Sequence, residues 1–129
     1  MKAEELASHL RIGNLLYYKN TKYIAKVELI HNKHFDCRDE HGCFTPNGDY
    51  EPIPLSEDVL LKCGAREYNR SDYSIKYEID TKTNHINILY KKNRILVFFG
   101  MCYLTDIKHL HQLQNLYYAL TGEELEVSI

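Results

Sequence analysis

Apolar and polar positions alternate with a period of two along several stretches of the chain, and that pattern predicts strands. Ala25, Val27 and Leu29 alternate with Lys26 and Glu28 within residues 23–30, and Phe35 and Cys37 alternate with Asp36 and Arg38. Residues 15–18 form another apolar run, with polar turns at 19–22, 31–34 and 39–42. Short strands joined by tight polar turns predict an N-terminal unit of SH3-like or meander type. A short helix over residues 1–9 precedes it. Alternation returns at Tyr73, Ile75, Tyr77 and Ile79, followed by strands at 85–90 and 94–103. This predicts a second antiparallel meander.

Two segments follow a helical period instead. Ser56 precedes Glu57 and Asp58 and is a good N-cap, with Gly64 placed for a left-handed C′ residue, so residues 57–63 are expected to form a short helix. Leu55 and Leu60 have the spacing of a hydrophobic staple across its start. Ile107, Leu110, Leu113, Tyr117 and Leu120 lie three and four apart, the stripe of an amphipathic helix capped by Thr105 and ended by Gly122. Its stripe is expected to cover the second meander, leaving Lys108, Gln112, Asn115 and Ala119 towards solvent. Leu125, Val127 and Ile129 are read as an edge strand. The reading is therefore α+β: a single domain over residues 1–129 with a strand-rich sub-unit 10–51 and a helix–meander–helix sub-unit 52–129. Residues 45–54, which hold all the prolines, connect the two.

Composition narrows the function classes. The 129 residues carry 16 Lys+Arg against 18 Asp+Glu, a formal net charge of -2 that favours neither a strongly basic nucleic-acid binder nor an acidic mimic. No apolar run approaches the roughly 20 residues of a membrane helix, and residues 1–10 contain Glu4, Glu5 and His9 rather than an apolar leader. The expectation is a cytoplasmic protein, not membrane-bound, with reduced cysteines.

Candidate chemistry is sparse. His31, His34, Cys37, His41 and Cys43 are ligand-type residues, but they lack a paired Cys-x-x-Cys knuckle. The alternation turns Cys37 inward, so His34, Cys37, His41 and Cys43 are read as turn and core residues rather than a metal site. Cys63 and Cys102 are read as core thiols, and nothing marks a nucleophile with its base. His109 and His111, two apart on a predicted helix, point different ways. His111 with Asn115, or Gln112 with Asn115, would form a polar strip on that helix. The glycines are scattered singly, with no phosphate loop, so no cofactor and no catalytic residue is expected. One cationic stretch stands out: Lys82, His85, Tyr90, Lys91, Lys92 and Arg94 interleave charge with a stacking ring, as a nucleic-acid contact would. Lysines in turns also protect sheets from aggregation.

Three segments carry a resemblance: Leu10-Arg11-Ile12-Gly13-Asn14, PIPLSEDVLLKCG from Pro52 to Gly64, and HQLQNLYYALTGEEL from His111 to Leu125. The chain resembles a group of short proteins, with no assigned activity, encoded by Bacteroidetes-type bacteria and their phages or prophages. The resemblance implies a mobile-element origin in a bacterial cell and gives no residue a role. The expected function is a non-catalytic intracellular interaction module of phage or prophage origin, and within that class near-zero charge and 11 tyrosines favour a protein partner. Nucleic-acid binding through the Lys82–Arg94 stretch is the alternative, and an enzyme of unknown class the third.

Overall fold

The computed structural model describes residues 3–31, 34–42, 44–45 and 49–129. The chain divides into two compact units, one of residues 1–54 and 109–116, the other of residues 55–108 and 117–129. Each is built on a five-stranded antiparallel sheet with short helices, an α+β organisation.

The first unit contains α1 (Ala3–Ala7), β1 (Leu15–Tyr18), β2 (Ile24–His31), β3 (His34–Asp39), β4 (Phe44–Thr45) and β5 (Tyr50–Pro52). Its strand order is β4-β3-β2-β1-β5. The order ends at two different strands, so the SH3-like expectation is corrected: the strands form an open sheet and not a closed barrel. Pro52, read as part of a connector, lies in an edge strand, where a missing N–H is tolerated. Ala25, Val27, Phe35 and Cys37 are buried as the alternation requires, and Leu6, Ala7, Leu16 and Tyr50 complete the core. Leu29 departs from the pattern. The β2–β3 register shifts between Val27 and Leu29, so Ile30 faces Phe35 and Leu29 is exposed. A bulge inserts one residue and reverses the alternation beyond it.

The second unit contains α2 (Glu57–Lys62), β6 (Arg66–Arg70), β7 (Ile75–Asp80), β8 (His85–Tyr90), β9 (Ile95–Phe99) and β10 (Cys102–Ile107), in sheet order β10-β9-β8-β7-β6. The α2 ends follow the residues chosen for them. Ser56 Oγ accepts from the Val59 amide at 3.2 Å. Gly64 takes φ 82°, its amide donates to Leu61 O and the Ala65 amide to Leu60 O, both at 3.1 Å. This paired arrangement satisfies carbonyls left over at the helix end. Ile75, Tyr77, Ile79, Ile86, Ile88, Ile95 and Val97 form the buried face of the sheet, with Val59 and Leu60 of α2 also buried.

Three expectations are corrected in this unit. The expected strand 94–103 is a hairpin: Gly100 adopts φ 63° and turns β9 into β10. Thr105 and Asp106 therefore lie in β10 and cap no helix. β6 carries no periodic signal because every one of its residues is exposed, and its register to β7 shifts between Glu67 and Asn69. Residues 125–129 form no strand; Leu125 is buried, and the Ser128 amide donates to Lys62 O at 2.8 Å.

The last helix, α3 (Leu110–Thr121), starts later than expected and is divided between the units after Leu116. Within the first unit, the Leu110 amide donates to Ile53 O at 2.8 Å, and Gln112 Oε1 accepts from the His109 amide at 3.0 Å. Gln112 thus supplies the return half of a capping box with His109 as N-cap. Gln114 and Asn115 also turn into this unit. Gln114 Oε1 accepts from the Leu15 amide and its Nε2 donates to Gly13 O, while Asn115 Oδ1 accepts from Asn14 Nδ2 and its Nδ2 donates to His9 O. The expectation that Asn115 faces solvent is corrected, because buried Asn14 needs a partner.

Ser56→Ala is expected to cost about 1 kcal/mol, read as a lower denaturant midpoint at an unchanged m-value. Leu113→Ala, at a fully buried position, should cost about 2–5 kcal/mol in the same assay. Gln112→Ala should fall between neutrality and the loss of a full cap, roughly 0.5–1 kcal/mol.

Candidate interaction surface

The sheet of the second unit buries one face, and the register shows what the other presents. Arg66, Glu78, Asn87, Phe98 and Tyr103 are successive cross-strand partners spanning all the strands, and Asn69, Lys76, Leu89, Leu96 and Asp106 form the next row. Phe98 and Tyr103 meet edge-on, their ring centroids 5.6 Å apart. Tyr68, Leu89, Phe98 and Met101, with Lys76 and Asn87, line a shallow cavity of about 340 Å³. Tyr68 is 53%, Tyr103 51% and Met101 99% exposed. Met101 follows Gly100 in the turn between β9 and β10. This face therefore carries an apolar and aromatic patch, with Lys76 and Asn87 among its lining.

Its rim is charged, and the charges are matched. Arg66 donates to Glu78 Oε1 at 2.7 Å and to Asp80 Oδ1 at 2.8 Å, while His85 Nδ1 lies 2.7 Å from the same Asp80 oxygen. Across the sheet, Arg94 donates to both Asp106 oxygens at 2.7 and 3.1 Å, and the Tyr103 hydroxyl donates to Asp106 Oδ1 at 2.6 Å. The Arg94 guanidinium, reinforced by the Tyr103 hydroxyl, holds the Asp106 carboxyl below its usual range. Arg94 is raised in turn by Asp106.

The structure does not gather the six cationic-stretch residues into one stripe. Lys82 and His85 lie at one end of β8, and Tyr90, Lys91, Lys92 and Arg94 at the other, roughly 20 Å away for a six-residue strand. Lys82 Nζ sits 2.6 Å from Glu123 Oε1 and is raised by it. Tyr90 turns to the inner side, edge-on to Tyr77 at 6.5 Å. Lys91 and Lys92 are exposed in the β8–β9 turn.

The cysteine and histidine candidates divide between core and surface, with His31 and His34 as cross-strand partners. Cys37 is fully buried, and burial pushes its thiol up to about 12. His31, His34 and His41 are exposed, and Cys43 lies outside the described residues. Cys63 is buried and likewise pushed up to about 12. Cys102, expected in the core, is exposed at the start of edge strand β10. Among the described residues, Glu78, Asp80 and His85 are the trio whose ligand atoms lie within 4.8 Å of one another. Sequence spacing does not show it; cross-strand pairing of Asp80 with His85 creates it. Arg66 already bridges both carboxylates, which makes the trio part of an ion-pair cluster.

No family model, curated protein or solved structure matches the chain. Among the described residues, no helix is long and apolar enough to cross a membrane.

His111 is the other unusual group. His109 and His111, expected to diverge, stack with centroids 5.7 Å apart because His109 precedes the helix. His111 is 2% exposed, and its Nδ1 is buried without a hydrogen-bond partner among the described residues. Burial, with the neighbouring His109 and His9, pushes its pKa down to about 4. The unfolded chain, titrating near the ordinary 6.5, then binds the proton more readily than the folded chain. Stability from this group is complete above about pH 6.5 and is lost as the pH falls towards 4, by up to about 3 kcal/mol. His111→Leu is expected to flatten this part of the stability–pH curve, measured by urea unfolding between pH 7 and pH 4.

Proposed function

We propose that the chain is a non-catalytic intracellular module of phage or prophage origin that docks a protein partner on the open face of its second sheet. The carrying observation is an apolar, aromatic patch that includes Tyr68, Phe98, Met101 and Tyr103, flanked by charged residues of both signs. An apolar centre with a polar rim suits a protein interface, and Tyr and Met are enriched at such centres. The partner is accordingly one that presents apolar side chains.

Charge supports a protein over a nucleic acid. Arg66, Lys82 and Arg94 are each engaged by carboxylates, and phosphates would have to compete for them. Contacts from Lys91 and Lys92 alone would give a log–log salt slope of only about -2. The thiol chemistry supports a binding role, since Cys37 and Cys63, the buried cysteines among the described residues, are pushed towards their protonated, weakly nucleophilic form.

The test compares capture from a Bacteroidetes-type host lysate by the native chain and by Met101→Asp, with mass spectrometry of the bound proteins. Met101→Asp should lose a specific partner at least tenfold while leaving the thermal midpoint unchanged. Equal capture by both would overturn the docking surface. Tight binding of a random-sequence 30-nucleotide DNA or RNA, with a salt slope steeper than about -5 and sensitivity to Lys91→Glu, would replace it with the nucleic-acid reading.

A further inference from the structure

We infer that the open sheet face of the second unit selects a protein partner whose apolar side chains flank a glutamate or aspartate, and that Lys76 receives this carboxylate. The selection rests on the reading of that face as a docking surface and names what the partner must present there.

Lys76 lies on β7, where alternation sends Ile75, Tyr77 and Ile79 into the core and leaves Lys76, Glu78 and Asp80 on the open face. Its cross-strand partners are Leu89 on β8 and Asn69 on β6. Tyr68 is the extra residue of the β6 bulge, between Glu67 and Asn69, and it lines the same cavity as Lys76, Asn87, Leu89, Phe98 and Met101. Lys76 thus belongs to the aromatic patch itself, whereas the matched charges stand at its borders. The carboxylates of those borders are already engaged. Arg66 holds Glu78 and Asp80 at 2.7 and 2.8 Å, and Arg94 holds both oxygens of Asp106. Among the described residues, Lys76 has no hydrogen bond or ion pair.

A partner that covers this patch covers Lys76 as well. An ammonium taken from water without a counter-charge carries a heavy desolvation cost, and a carboxylate facing it removes much of that cost. The apolar groups supply contact area, and Lys76 decides which apolar partners are accepted. Its aliphatic stem can lie along the cavity wall beside Leu89 with the charged head at the opening. Asn87 adds a donor: its Nδ2 gives one hydrogen to Gly100 O at 3.4 Å and has a second for an incoming carboxylate oxygen. An acidic side chain suits this place better than a chain terminus. Terminal carboxylates are captured by converging backbone amides, and β7 and β8 are interior strands whose amides serve the sheet. A phosphate backbone would find one cation here, set among carboxylates of the same face.

The test is titration of the full ¹⁵N-labelled chain with the capped peptide acetyl-Phe-Glu-Leu-amide, followed by amide shifts. It is compared with acetyl-Phe-Gln-Leu-amide, acetyl-Phe-Lys-Leu-amide and the free acid acetyl-Phe-Gln-Leu. Saturable shifts are expected at Tyr68, Lys76, Asn87, Phe98 and Met101, with the glutamate peptide bound about fivefold tighter than its glutamine isostere, the scale of one exposed ion pair. Added salt should narrow this gap. Lys76→Met, which keeps an apolar stem and removes the charge, should abolish the preference at an unchanged thermal midpoint, and Lys76→Glu should turn it towards the lysine peptide. Equal binding of the glutamate and glutamine peptides, a preference retained in Lys76→Met, or tighter binding of the free acid than of the glutamate peptide would overturn the role of Lys76 while leaving the docking surface in place. An absence of saturable shifts at these residues with every peptide would overturn both.

Discussion

Two amide side chains on the last helix close the first unit. Gln114 and Asn115 reach residues about a hundred positions earlier, at His9, Gly13, Asn14 and Leu15, and do so with both ends of each amide. An amide offers donors at one end and an acceptor at the other, so it can satisfy a backbone N–H and a nearby C=O at once. Asn14 and Gln114 are buried, and each would lose a full hydrogen-bond partner if the helix slid by one residue. The register of α3 against the start of β1 is set by this requirement. Apolar contacts from Leu110 and Leu113 add area without setting position so sharply.

The second unit is organised by the opposite means. Its sheet has one face of isoleucine, valine and tyrosine from β7, β8 and β9, and the burial there is non-directional. Direction comes from the Gly100 turn and the bulge in β10, which fold one long apolar run back on itself. This leaves an aromatic strip on the other face with ion pairs at its borders. Such pairs contribute little to stability when exposed. Their consequence is to neutralise the cations, and this shapes the choice of partner.

The proposed site follows from the chemistry of the open sheet face. The open sheet face offers apolar area and matched charge, suited to a folded surface. It requires no nucleophile, and desolvation pushes the Cys37 and Cys63 thiols up.

Local rules were enough to determine the alternating strands at 35–38 and 75–79, the apolar strand at 15–18, and both ends of α2. Each depends on contacts within a few residues: alternation on one buried face, a serine cap, a glycine that accepts positive φ. The β2 bulge, the hairpin at Gly100 and the exposed strand β6 were not legible, because each is decided by pairing with a neighbouring strand. The same reason explains the candidate sites. Cys37 could be read as buried from its place opposite Asp36, but the separation of Lys82 and Arg94 to opposite ends of β8 could not be read from their closeness in sequence. Tyr68, Lys76 and Phe98 meet only because β6, β7, β8 and β9 lie side by side. Side-chain chemistry and local backbone preference were determined by the sequence itself; which groups face one another was decided by tertiary structure, since strand partners and bulges are chosen by burial across the whole sheet.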